Sequence, residues 1–137
     1  INDNNTSIIG GERQIILSSK ETNGDIYLVE GIMPKGSNVP VHIHLNEDEI
    51  FHVLEGEVQL ILGEETLTGK EGDIIYLPRG IRHGIKTKGE KTARVLNYVI
   101  PGHNFEKFFN EMNVLKANAT SIQRAELAKQ YGITFEQ

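Results

Sequence analysis

The chain has 137 residues, a formal net charge of −5 with a pI near 5.5, and no cysteine. That length is read as one domain with a core of its own, and the missing cysteine removes disulfides, thiolate nucleophiles and sulfur-ligated metals, leaving histidine and carboxylate as the strong ligands. The acidic balance and the scattered Lys and Arg argue against a nucleic-acid partner, and no apolar run reaches membrane-spanning length, so the expected location is cytoplasmic.

In chain order, residues 1–7 are polar and Asn-rich and read as a loose arm, with order starting near Ile8. Short apolar segments then recur at 14–18, 26–33, 41–44, 50–54, 58–62, 74–77, 83–87 and 92–100, separated by Gly, Pro, Asn and Lys breaks. This rhythm predicts an antiparallel all-β sandwich or barrel over about residues 8–101. Glu55-Gly56-Glu57 and Gly63-Glu64-Glu65 mark the turns of a hairpin around 58–62.

After Pro101-Gly102 the period changes. Phe105, Phe108, Phe109, Met112 and Leu115 fall largely on one helical face, which needs an apolar surface to cover, either the sheet or one barrel mouth. Thr120 and Gln123 then have the spacing of a capping box, and Gly132 is placed to stop the helix they open. Two helices over about 103–132 are therefore expected to follow the β domain.

Chemistry concentrates in two segments. His42 and His44 are two apart, which on a strand sends both rings to one face with about 7 Å between Cα atoms. Glu49 follows after a short polar turn, and His83 sits in a second strand-turn-strand segment behind Pro78 and Gly80. Three imidazoles and a carboxylate form a nitrogen and oxygen set suited to one divalent Fe, Mn, Ni, Cu, Co or Zn ion and poor for Ca or Mg. Gly36, Gly56 and Gly72 stand at strand breaks where a positive φ is often needed. His52 has the parity of an outward residue, His103 opens the helical tail, and Glu47, Asp48, Arg79 and Arg82 read as solvated turn charges, the arginines within reach of an anion at a barrel mouth.

Both segments resemble the two motifs of the cupin superfamily. The first, Gly-x5-His-x-His-x4-Glu-x6-Gly, is met by Gly36, His42, His44, Glu49 and Gly56, and its final glycine selects Glu49 over Asp48 and Glu47 as the ligand. The second, Gly-x5-Pro-x-Gly-x2-His-x3-Asn, is met by Gly72, Pro78, Gly80 and His83, with Thr87 where asparagine is usual, a departure away from the ligands.

The resemblance covers about residues 26–101 and implies a double-sheet jelly roll. Within the superfamily the Phe-rich helix and the Tyr-Gly-Ile ending are most similar to small bacterial proteins grouped with quercetin dioxygenases. It implies a metal-dependent dioxygenase acting on a small enolic or aromatic compound, with Glu49 as ligand and proton acceptor. A sugar or keto-acid isomerase or lyase and a metal-assisted small-molecule binder are the other readings of the same four ligands.

Inward parity would place Met33, Val41, Phe51, Val53, Leu60, Leu62, Ile85, Leu96 and Tyr98 in the substrate wall, with Phe105 and Phe109 near its mouth. Exposed sheet edges, the N-terminal arm and the amphipathic tail lead to the expectation of a symmetric homodimer.

Overall fold

Period-two alternation builds the two sheets that form the body of the molecule. A computed structural model describes residues 5–8, 11–115 and 117–136. Its strands are β1 (Asn5–Ile8), β2 (Gly11–Leu17), β3 (Tyr27–Met33), β4 (Asn38–His44), β5 (Asp48–Glu55), β6 (Glu57–Leu62), β7 (Glu65–Gly69), β8 (Ile74–Leu77), β9 (His83–Lys88), β10 (Ala93–Ile100) and β11 (Ile133–Phe135). Helices α1 (His103–Val114) and α2 (Ser121–Gln130) lie between the last two strands.

The strands form two antiparallel sheets, ordered β1-β2-β3-β10-β5-β8 and β11-β4-β9-β6-β7. Neighbours that are distant in sequence, such as β3 with β10 and β4 with β9, give the crossed connectivity of a jelly roll. In β10 the burial alternates without a break, Ala93, Val95, Asn97 and Val99 inward and the residues between them half-buried. The same alternation turns Glu49, Phe51 and Val53 of β5 into the space between the sheets.

Two apolar clusters fill that space. One joins Phe51, Val53, Val58, Leu60, Leu77 and Val95 at one end. The other joins Tyr27, Val29 and Val99 to Phe105 and Phe108 of α1, Leu127 of α2 and Ile133 of β11. The predicted Phe stripe is thus the cover of one end of the sandwich. The capping box at the start of α2 forms as its spacing requires, with Gln123 N–H donating to Thr120 Oγ1 and Thr120 N–H to Gln123 Oε1.

Three parts depart from expectation. Asn5–Ile8 pairs with β2 as a strand, so the part of the expected arm that is described is sheet edge; residues 1–4 lie outside the described residues. β7 is a polar Glu-Thr-Leu-Thr-Gly stretch that lies outside the expected apolar segments and begins at Glu65, within the expected turn. β11 follows Gly132 directly and pairs with β4, a contact whose partner lies about ninety positions earlier and leaves no local signal.

Candidate metal centre and its cavity

β4 hangs His42 and His44 from one face, and β9, antiparallel beside it, sets His83 opposite His42. Glu49 comes from β5 in the facing sheet, so the four side chains meet between the layers. The local turns make this meeting possible. Gly80 N–H donates to His44 O at 2.7 Å, tying the turn that precedes His83 to the end of β4. Gly56 ends β5 at a φ of +74°, where a Cβ would lie 2.8 Å from Thr92 O, so only glycine allows the chain to turn there against β10.

All four side chains are buried, and one donor atom from each lies within 4.8 Å of the others. His44 Nε2 and His83 Nε2 stand 3.3 and 3.0 Å from Glu49 Oε2. None of these three atoms has a hydrogen-bond partner among the described residues. Short separations without hydrogen-bond alignment mean that the atoms converge on a common point and not on one another. Buried polar atoms are nearly always satisfied, and a cation at that point would satisfy all three. The donor set fits a divalent transition ion in type, number and spacing.

The opposite edges of three of the ligands are held in place, whereas His83 Nδ1 has no hydrogen-bond partner among the described residues. His42 Nδ1–H donates to Pro40 O at 2.7 Å and His44 Nδ1–H to Glu47 Oε1 at 2.9 Å, tautomers that leave each Nε2 for the centre. Glu47 Oε2 accepts from Asn104 Nδ2–H at 3.2 Å, which couples His44 to α1. Glu49 Oε1 accepts from Asn97 Nδ2–H at 3.1 Å, so Oε2 is the free oxygen.

Electrostatics agree with this geometry. Burial, then the nearby His83 and His44, push His42 down to about 3, so it is neutral near pH 7. Burial alone would raise Glu49, but His44 and His83 outweigh it and hold the carboxyl well below its usual range. In His44 the lowering effect of burial is overcome by Glu49 and Glu47, and its net shift is upward.

A cavity of about 1240 Å³ opens from the ligands. Phe105 of α1 sets its ring 4.8 Å from that of His44, edge to face, and Phe109 packs on Phe105 at 4.6 Å. Phe135 of β11 stands 5.3 Å from the His42 ring. Met33, Phe51, Ile85 and Val95 line the space from the sheets. Asn97 and Arg13 are its buried polar members.

A family model described as a cupin domain matches residues 28–99, just over half of the chain and inclusive of all four ligands. The chain belongs to the cupin family. This cupin is 34% identical over 79 residues to an uncharacterized protein of Methanocaldococcus jannaschii, a match covering 58% of the chain and 63% of that protein. It is 26% identical over 99 residues to quercetin 2,3-dioxygenase of Bacillus subtilis, covering 72% of the chain and 29% of the enzyme. Against these curated relatives the match spans less than two thirds of their own length. Among solved structures, one described as a predicted oxalate decarboxylase from Thermotoga maritima superposes with a TM-score of 0.64 at 25% identity, over 70% of this chain and 89% of that one.

Several sequence expectations need correction in this cupin. Of the expected wall residues, Met33, Phe51, Ile85, Phe105 and Phe109 line the cavity. Val53 and Leu60 face inward but lie wholly buried in the apolar cluster beyond it, with Leu62 packed against that cluster. Val41, Leu96 and Tyr98 are half-buried and outside the lining, because His42 and His44, or Val95 and Asn97, take the inward parity on their strands.

Glu47 is no solvated turn acid: it is 1% exposed and bonded to His44. Asp48 instead takes the turn role, paired with Arg79. Arg82 is paired with Glu136, which fastens the end of β11 to the start of β9. Sequence reading missed Asn97, although a lone amide at an inward position of β10 was a visible anomaly, and it missed Arg13.

Proposed function

We propose that this cupin is a metal-dependent oxidoreductase of the dioxygenase type, acting on a small enolic or aromatic compound. His42, His44, Glu49 and His83 would hold one divalent ion drawn from Fe, Mn, Ni, Cu, Co and Zn. The observation that carries the reading is a buried nitrogen and oxygen donor set opening directly onto a phenylalanine-walled cavity. Similarity to the Bacillus subtilis quercetin 2,3-dioxygenase supports it. When bound, such an ion supplies Lewis acidity toward an enol or phenol oxygen and, for a redox metal, chemistry with O2.

The chain's own residues supply the rest. Phe105, Phe109 and Phe135 exclude water and offer faces and edges to a flat substrate. Glu49 would act as ligand and proton acceptor: Asn97 fixes its Oε1 and leaves Oε2, the oxygen beside His44 and His83, free for that role. Met33, Phe51 and Ile85 would hold the substrate body.

Protein reconstituted with Fe(II), Co(II), Ni(II) or Mn(II) should consume oxygen with at least one member of a panel of flavonols, diketones and hydroxyaromatics, and Glu49→Gln should abolish the uptake. No uptake with any metal and substrate contradicts the proposal. A second reading, isomerisation or lyase chemistry on a sugar or keto acid, is favoured by the polar Asn97 and Arg13 in the cavity wall; substrate conversion without oxygen uptake would establish it. Tight binding without conversion would make the protein a binder.

We also propose a symmetric homodimer. Its support is the outer strand β8, which leaves Ile74 and Tyr76 exposed at the edge of its sheet. Light scattering at micromolar concentration that gives a monomer mass would exclude it.

A further inference from the structure

Arg13 of β2 lines the same cavity as the four ligands, yet it is only 7% exposed. A guanidinium keeps its charge throughout the physiological range, and a buried charge without a partner destabilises a fold. Arg13 Nε and Nη2 have no hydrogen-bond partner among the described residues. Its cation lies over the face of Phe109, 3.9 Å from the ring centre, and 5.5 Å from that of Phe105. That contact offsets part of the cost but leaves both N–H groups unsatisfied.

Nε and Nη2 form the edge of the guanidinium that receives both oxygens of one carboxylate. Elsewhere in this chain the edge is used in that way. Arg79 donates Nε–H and Nη2–H to Asp48 Oδ1 and Oδ2 at 3.1 and 3.2 Å, and Arg82 donates the same pair to Glu136 at 2.6 and 2.5 Å.

The surroundings of Arg13 favour an acid as its partner. Its cross-strand neighbour is Gly31, which in turn neighbours Val95. A Cβ at Gly31 would meet only Val95 O, at 3.8 Å, so the missing side chain leaves space on the inner face beside the guanidinium.

We propose that Arg13 is the receptor for a carboxylate, so that the molecule taken into this cavity is an organic acid with an apolar, preferably aromatic, body. The acid pairs with Nε and Nη2, and the body lies against Phe105 and Phe51. Phe109, whose ring covers the guanidinium, gives way as the acid enters. This rests on the reading of the cavity as a small-molecule site, and it holds for an oxygenase, an isomerase or a binder alike.

The test compares benzoate with its neutral counterpart benzamide by calorimetry on zinc-loaded protein, zinc being redox-inert. Benzoate should bind at least about tenfold more tightly than benzamide, the worth of a hydrogen-bonded charge pair. Arg13→Met should remove that preference while zinc content and benzamide affinity stay unchanged, and its melting temperature should equal or exceed that of the parent, because an unpaired buried charge has gone. Arg13→Lys, which keeps the charge without the forked edge, should fall between the two.

Benzoate binding unchanged in Arg13→Met would overturn the proposal, since the ion and not Arg13 would then hold the acid. A lowered melting temperature with the preference retained would likewise make Arg13 structural. If Arg13→Met does not fold, parent-like benzoate affinity in Arg13→Lys overturns the forked pairing. Should the parent protein take up no zinc, the metal reading fails by itself, and the same comparison on metal-free protein still decides the role of Arg13.

Discussion

The two ends of the sandwich use the same alternation for opposite purposes. At one end Val53, Val58 and Leu60 are fully buried, and inward positions meet other apolar side chains from the facing sheet. At the other, inward positions of β2, β4, β5, β9 and β10 carry Arg13, His42, His44, Glu49, His83 and Asn97 around a cavity. Helices α1 and α2 and strand β11 cover that end, α1 with Phe105 and Phe108, α2 with Leu127 and Ala128, and β11 with Ile133 and Phe135. Packing density makes the first end stiff, which lets the second keep several buried polar atoms unsatisfied without losing the fold. Parity along a strand decides whether a residue faces in; position along it decides whether it becomes core or site.

The closed end should carry more of the stability. Leu60→Ala removes a fully buried side chain there and should cost about 2 to 5 kcal/mol in urea unfolding, with zinc affinity of the folded protein unchanged. A loss of zinc affinity beyond a factor of about two would show that the two ends are not separable in this way.

At the open end the largest effects should fall on binding. Glu47→Gln removes the charged acceptor of His44 Nδ1–H and should weaken zinc about tenfold, with little change in melting temperature. An unchanged affinity would mean that Glu47 does not orient His44.

A smaller, graded effect concerns pH. In the metal-free protein His44 is shifted upward, so an incoming cation must displace its proton, whereas His42 is already neutral. Zinc affinity should therefore rise with pH until the raised titration of His44 is passed, and then level off. Calorimetry in buffers of different ionisation enthalpy should find proton release on zinc binding that falls as pH rises, and release that does not change with pH would contradict the assignment.

Much of this was readable from the chain because each ligand is tied to punctuation with a physical cause. The two-residue step from His42 to His44 puts both rings on one face wherever a strand forms. Gly56 fixes which acid ends in the site, since β5 must turn there against β10. Arg13 was legible in principle: on β2 it shares parity with Ile15 and Leu17, the apolar side of the strand. What could not be read was depth. Val53 and Leu60 have the right parity and the wrong end, and nothing local distinguishes them from Phe51. Nor could Glu47 be told from its neighbour Asp48, because burial of one and pairing of the other with Arg79 depend on Asn104 and on a turn some thirty residues away.

The central claim is that four buried side chains from both sheets hold one ion. Metal analysis of untagged protein beside His44→Ala tests it most directly. The account predicts close to one equivalent of a transition metal in the parent protein and at least about a hundredfold weaker retention in the variant, with the fold intact by circular dichroism. Absence of metal from both proteins, even after incubation with Fe(II), Co(II), Ni(II) and Zn(II), would contradict it.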